Sequence, residues 1–338
     1  MLAPPRIQSV HFMGAAHAGG GAGWRLHGQD GGQSIALGEE TLFVFSDTLL
    51  ARSGAPLAKA TPGAAHFLGN CAAVSREPTL DRALRTLRYF EEQGLPREIL
   101  APSPLERMAG HRFWPQHGIA AGESVYLFYL GIHQFESKST WGFRATGSGL
   151  ARFDPRRGVA ERIVRDGEWR LWSGDGDLRL GTQVLREGED VYVFGSRVSD
   201  GGTVAILARV PIAAIEDPDA YRFLASEEGA WSASVAEACA LASTAPEFSV
   251  SFNAHLGAYL MVYVESFGRE LFVRTAPHVR GPWGAPVSAG RLPHREQAEV
   301  VALAFEHPRF ARNGGKTVVV SYCQPHFTQN SLVAITFA

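Results

Sequence analysis

Cysteine is scarce in this 338-residue chain: Cys71, Cys239 and Cys323 lie far apart, with no Cys-x-x-Cys pair. An odd, scattered set builds neither a disulfide framework nor a structural zinc site, so buried free thiols are expected. No hydrophobic run reaches the roughly 20 residues a membrane-spanning helix needs, and no membrane partner is expected. Charge of either sign is close to balance, 32 Lys and Arg against 34 Asp and Glu. That leaves no field to attract nucleic acid or an anionic bilayer. The start, Met1-Leu-Ala-Pro-Pro-Arg6, has neither the basic residues nor the apolar core of a secretion signal. The expected location is therefore the cytoplasm, or the periplasm or exterior if a leader has been removed. The glycine run Gly19–Gly23 lacks the strand, helix and Lys-Ser/Thr ending of a phosphate loop. There is no Gly-x-Ser-x-Gly nucleophile elbow, and no histidine pair has metal-ligand spacing on a helix. No cofactor or metal is expected; an ion in a central channel is conceivable, but no ligand set predicts one. The oligomeric state is left open.

Glycine and proline, by contrast, are plentiful at 37 and 19 residues, as expected where short strands alternate with turns. Five segments are near-echoes of one another: Gly38–Asp47 (GEETLFVFSD), Gly122–Tyr129 (GESVYLFY), Gly188–Ser196 (GEDVYVFGS), Leu256–Glu265 (LGAYLMVYVE) and Gly314–Tyr322 (GGKTVVVSY). Each is a turn followed by a β-branched and aromatic strand, and each follows another strand-like run. Self-similarity at a period of roughly 60–80 residues signals a repeat architecture. The expected fold is all-β, a five-bladed β-propeller of four-stranded antiparallel blades around a central funnel, with residues 1–338 as a single domain.

The expected strands are as follows. Blade one takes 33–37, 41–45, 68–75 and 85–90; blade two starts near Arg112 and continues through 125–130, 149–153 and 161–164. Blade three takes 178–185, 191–195, 204–210 and 221–224, and blade four 247–252, 259–264, 271–275 and a strand after Trp283. Blade five takes 300–305, 317–322 and 332–337, with the N-terminal 6–12 completing it and closing the ring. Residues 80–87 also read as a helical turn, with Leu80, Leu84 and Leu87 on one face; a hairpin over 85–100, centred on Gly94-Leu-Pro, is the preferred reading. Segments 134–148 and 217–245 are long connections, where specificity usually resides.

Strand direction sorts the polar residues. In each blade the first strand runs down the channel and the second returns, so residues before the first and after the second meet on one rim. Asp30, His111 to Trp114, Asp177, Glu247, Glu296 and Glu299 precede first strands; Asp47, Gly131, Ser196, Glu265 and Cys323 follow second strands. Asp30 and Asp47 belong to one blade and should be neighbours. Paired carboxylates push each other's pKa apart, and glycoside hydrolysis needs an acid and a base or nucleophile on either side of the sugar. The alternative reading of each aspartate is a turn cap, and of Glu265 a solvated strand end. Glu247, before an apolar strand, is expected to face the channel. Trp114, Trp141, Trp172 and Trp231 are candidates for stacking on sugar, or for packing between blades. Asn70, Trp114, His117, Glu265 and His307 are the candidate substrate-binding residues, with hydrogen-bonded structural roles the alternative for the two histidines.

Gly28-Gln-Asp30-Gly31-Gly32-Gln-Ser34, Leu42-Phe-Val-Phe-Ser46-Asp47-Thr48 and Asn70-Cys-Ala-Ala together resemble the opening of domain-of-unknown-function family 4185, with Ser46 where that opening has glycine. Phe113-Trp114-Pro115, the Pro246-Glu247 strand, Thr275-Ala-Pro with Gly281-Pro-Trp283, and Ser321-Tyr322-Cys323 extend the likeness. That family is similar to glycoside hydrolase families 43, 62 and 32, and some members are classed as endo-D-arabinanases in family 183. The resemblance implies a five-bladed propeller acting on, or binding, furanosides or related glycans, and places Asp30 and Asp47 on the aspartates of the opening motif. The leading expectation is a glycosidase, inverting by analogy, with Asp30 as general base, Asp47 setting its pKa, and Glu247 as general acid by strand geometry. Two rivals stand beside it: a non-catalytic carbohydrate-binding propeller, and an intracellular glycoside phosphorylase holding phosphate with Arg112, His117 and His307.

Overall fold

The computed structural model describes residues 3–15, 20–21, 23–52, 65–135, 142–174, 177–266, 268–293, 301–323 and 330–338. Its strands form five antiparallel blades in a ring. Blade one pairs Trp24–Leu37, Glu40–Arg52, Cys71–Ser75 and Arg88–Tyr89 in that order; blade two pairs His111–Ala121, Ser124–Gln134, Phe143–Asp154 and Val159–Arg162. Blade three pairs Arg179–Glu187, Asp190–Ser199, Gly202–Pro211 and Arg222–Leu224; blade four pairs Ser249–Asn253, Ala258–Val264, Glu270–Ala276 and Val287–Arg291. Blade five runs Ala302–Glu306, Thr317–Cys323 and Ser331–Phe337, and its outer strand is the N-terminal Ile7–Ala15, as expected from the sequence. The ladder from Ile7↔Phe337 to Ala15↔Ser331 thus joins both ends of the chain in one sheet.

The echoing segments are the second strands, and their shared composition has a packing cause. Each is covered on both faces by neighbouring blades, so the usual alternation of polar and apolar residues is replaced by a continuous apolar run. In blade one, Phe43 and Phe45 face blade five, packing with Val319 and Leu332. The intervening Leu42 and Val44 face blade two, packing with Val125 and Leu127. The same division repeats between blades two and three (Phe128, Val193), three and four (Phe194, Met261), and four and five (Leu260, Val318). One apolar core between every neighbouring pair closes the circle.

Residues 80–100 combine both sequence readings. Leu80–Arg85 is a short helix that buries Leu80, Ala83 and Leu84, and a two-stranded hairpin, Glu91–Glu92 with Leu95–Pro96, turns at Gly94. The helix prevails at 80–85 because its leucines fill the core between blades one and five.

The largest departure lies in blade one. Its first two strands do not stop at the rim but run on as a raised hairpin, paired from Leu37↔Glu40 out to Trp24↔Arg52. Asp30 and Asp47 therefore sit within strands, not beyond their ends.

Candidate active site

The blade-one ladder lapses between Gln29↔Thr48 and Gly31↔Phe45, leaving Asp30 on one strand across from Ser46 and Asp47 on the other. Bulges re-aim side chains in this way. The next glycines make it possible: Gly31 and Gly32 have φ of +84° and +102°, and a Cβ on Gly32 would lie 2.9 Å from Asn330 Nδ2 and 3.1 Å from the Phe45 ring. Asp30 is half-buried and Asp47 buried. Burial drives the Asp30 carboxyl up to about 7; the Asp47 charge pushes the same way, Arg112 pulls back, and Glu247 adds a further push. Burial likewise raises Asp47 to about 6, opposed by the charge of Arg112 and by the hydrogen bond from Trp114, with Glu98 a smaller upward influence. The Asp47 charge thus raises the proton affinity of Asp30, and burial raises that of both carboxyls.

Blade two supplies the partners of Asp47. Arg112 and Trp114, two apart on the first strand, project to the same side. Arg112 Nε lies 3.0 Å from Asp47 Oδ1, and Trp114 Nε1 donates to the same oxygen at 2.7 Å. Arg112 Nη1 donates to Gln134 Oε1 at 2.7 Å. Its guanidinium stacks over Trp114, Phe143 and Phe67, at 5.4, 5.8 and 5.8 Å from the ring centroids. Phe67 is 45% exposed, so the site has an aromatic wall on its blade-one and blade-two side.

Glu247 enters from blade four. The Ser196 hydroxyl donates to the Pro246 carbonyl at 2.8 Å, pinning the segment just before the first strand against blade three. There the Glu247 carboxylate is held by Arg179, which also donates to Asp177 Oδ2 through Nε at 3.1 Å and Nη2 at 2.7 Å. Burial works against the Arg179 charge, but the Glu247 and Asp177 carboxylates outweigh it and keep the guanidinium more basic than usual. Asp177 is thus half of a salt-bridge fork at the rim and not only a turn residue. Arg179, absent from the candidates above, opens a first strand at the same rim as Arg112, and the strand-direction rule was the signal that could have found it.

Three of the candidate binding residues are corrected by their surroundings. Asn70 is fully buried: Nδ2 donates to the Leu100 and Phe113 carbonyls at 3.0 Å, and Oδ1 accepts from the Ile99 and Leu100 amides at 2.9 and 3.0 Å. It has nothing left for a sugar. His307 is also fully buried, between the Ser34 and Ser321 hydroxyls at 2.8 Å each. His117 accepts from the Val184 amide at Nδ1 and reaches the Ser34 carbonyl with Nε2, both at 3.2 Å. Burial lowers His117 to about 4 and His307 to about 3, leaving both neutral. They belong to a polar layer among the first strands, with Gln33 Nε2 donating across to the Thr182 carbonyl at 2.7 Å. Arg112, His117 and His307 consequently form no phosphate cluster. Glu306, missed in the sequence, lies in this buried layer, where burial raises its carboxyl to about 7 against a hydrogen bond from Ser251.

Glu265 is exposed at the turn after its strand, whereas Trp114 lines the site. Trp172 is buried between blades two and three, and Trp231 packs against blade three with Arg209 over its ring. Trp141, Glu296 and Glu299 lie outside the described residues. Cys323, at the rim of blade five, donates to Asn330 beneath the Asp30 bulge. Among the described residues, no group of three or more His, Cys, Asp or Glu could hold a metal ion. A cavity of about 490 Å³ opens at the opposite end of blades two and three around Tyr126 and Glu216, away from all these carboxylates.

The fold has solved counterparts. A Bacteroides ovatus protein superposes with a TM-score of 0.63 at 16% identity, covering 94% of this chain and 87% of its own. The α-L-arabinofuranosidase PaAbf62A of Podospora anserina, solved with cellotriose, gives 0.53 at 12% identity, covering 98% of both chains. The GH43_1 enzyme of Xanthomonas citri gives 0.52 at 14% identity, covering 92% and 90%. At these identities the likeness establishes the five-bladed fold alone. No curated protein sequence matches. One family does, over residues 20–324, from the raised hairpin of blade one to Cys323 at the end of the blade-five second strand, and the chain belongs to it: the domain of unknown function DUF4185.

Proposed function

We propose that this protein hydrolyses glycosidic bonds at the rim of the funnel, with a furanoside such as an arabinofuranoside as the substrate class. The observation that carries the reading is the Asp30–Asp47 pair: two neighbouring carboxyls with raised proton affinity, with the charge of Glu247 reaching Asp30 from blade four. Perturbed carboxyls gathered in a cleft mark acid–base chemistry. Asp30, with a pKa near the working pH, is suited to proton transfer. In this reading it is the general base that activates water, and Asp47, anchored by Arg112 and Trp114, sets its proton affinity. Glu247, displaced from Arg179 by substrate and then protonated from solvent, passes that proton to the leaving oxygen while Asp30 takes one from the attacking water. Inversion at the anomeric carbon is the proposed outcome, observable by NMR of the first-formed product.

The Arg179 grip on Glu247 favours a second assignment, with Glu247 as the carboxylate partner and Asp30 as the acid. Aryl glycosides with good leaving groups separate the two, because departure then needs no protonation. Asp30→Asn inactive and Glu247→Gln active on such substrates supports Asp30 as base; the opposite pattern reverses the roles. The hydrolytic reading itself is tested by screening furanosides and pyranosides with wild type and Asp30→Asn. Binding of a glycan by both proteins, with product from neither, would establish the carbohydrate-binding alternative instead.

A further inference from the structure

Beside the carboxylates, the same rim carries a pocket of the opposite character. A cavity of about 360 Å³ is lined by His111, His133, Arg144, Ala145, Thr146 and Arg170: four basic side chains and no acid. The placement follows from register. His111 pairs with His133, and His133 with Arg144, so three basic residues form a row across the first three strands of blade two. Arg170 closes the row from the connection to blade three. The two imidazoles lie 5.0 Å apart, and their Nδ1 atoms are buried without a hydrogen-bond partner. Among the ion pairs of the described residues, none involves Arg144 or Arg170. The carboxylate nearest in influence, Glu106, is already committed to Arg162 by bonds of 2.7 and 2.9 Å.

Burial, His133 and the Arg170 charge hold the His111 imidazole below its usual proton affinity, a repulsion that an anion in the pocket would relieve. The pocket also lies where a substrate would extend. It shares Arg144, Ala145 and Thr146 with a second cavity of about 370 Å³, which runs along Asp177 and Arg179 to the Glu247 ion pair. His111 is the immediate neighbour of Arg112, and alternate strand residues face opposite sides. One strand thus offers Arg112 to Asp47 and His111 to the basic pocket.

We propose that this pocket binds an oxyanion, a carboxylate or a sulfate ester, on a sugar unit flanking the one held at the carboxylates, so that the substrate is an acidic glycan. The term substrate rests on the glycosidase reading above; the pocket's anion binding does not. The test is calorimetric titration of the full chain with oligogalacturonate, a sulfated galacto-oligosaccharide and a neutral galacto-oligosaccharide of equal length. Wild type is expected to bind at least one acidic oligomer about tenfold or more tighter than the neutral one, with affinity falling as salt rises. The Arg144→Ala/Arg170→Ala double variant should lose that preference; both side chains are exposed, so unchanged melting confirms that the fold is kept. Preference for uronate or for sulfate identifies the source of the oxyanion. Equal affinity for neutral and acidic oligomers, no binding of either acidic oligomer, or a preference that survives the double variant overturns the proposal. Binding is read without turnover: an inactive protein that still selects acidic glycans refutes hydrolysis and keeps the pocket, while hydrolysis of neutral glycans without acid selectivity does the reverse.

Discussion

Replacing Asp30 by asparagine is expected to stabilise the folded protein at pH 8 and to do so progressively less as the pH falls. In the folded chain the Asp30 carboxyl holds its proton up to about pH 7, whereas its ordinary value is 3.8. Between those values the native state binds more protons than the unfolded state, so wild-type stability falls as the pH rises through the window. The whole rise corresponds, at about 1.4 kcal/mol per tenfold change in proton affinity, to about 4 kcal/mol of lost stability above pH 7. Asparagine is neutral, avoids the cost of the buried charge and relieves the repulsion with Asp47. Its amide must find new partners, at about 1–2 kcal/mol, leaving a net gain of about 2–3 kcal/mol at pH 8. Below pH 4 the carboxyl is protonated in both states and the advantage disappears. Urea denaturation of both proteins at half-unit steps from pH 4 to pH 8 measures it directly. Parallel stability curves across that range would refute the account of Asp30 as a half-buried, proton-holding group, whatever the protein's activity.

Arg112→Ala should destabilise by about 2–4 kcal/mol at pH 8, because it strands the Asp47 charge. The loss should be smaller at pH 5, where Asp47 takes up a proton; equal losses at both pH values in denaturant titrations would contradict the ion pair. Asn70→Ala, which leaves the Ile99 and Leu100 amides without their acceptor, should cost about 2–4 kcal/mol. Its KM on any substrate found should be unchanged, a point checked by melting and steady-state kinetics together. Gly32→Ala places a Cβ against Asn330 and Phe45 at a φ of +102° and should cost about 1–3 kcal/mol. Activity should drop beyond what the unfolded fraction explains, because the bulge that aims Asp30 has to shift.

The legibility of this chain was uneven. Blade boundaries could be read because the second strands, covered on both faces, carry a near-continuous apolar signature such as Leu42–Phe45 or Val318–Val320. The ring closure by an N-terminal strand, expected at 6–12 and found at Ile7–Ala15, could be read because the fifth blade lacked an outer strand of its own. The helix at 80–85 was ambiguous because so short a segment, with Leu80 and Leu84 four apart, fits a helix turn or a strand until the core between blades one and five selects one. The long hairpin beyond Asp30 was missed because Trp24–Gln29 looks like a loop rich in glycine and polar residues, whose pairing with Thr48–Arg52 depends on a bulge that composition does not announce.

The amino-acid sequence by itself determined the number and order of the blades and the rim on which Asp30, Asp47 and Glu247 stand, because strand periodicity and turn chemistry are local properties. Only the tertiary structure decided what those carboxylates touch. Trp114 reaches Asp47 across 67 residues of chain, and Arg179 reaches Glu247 across 68. It also sealed Asn70 and His307 inside the fold, tied half-buried His117 to the Val184 amide, and gathered His111, His133, Arg144 and Arg170 around one cavity. Such contacts form where separate blades converge, so their geometry follows from closure of the ring and not from any stretch of sequence within it.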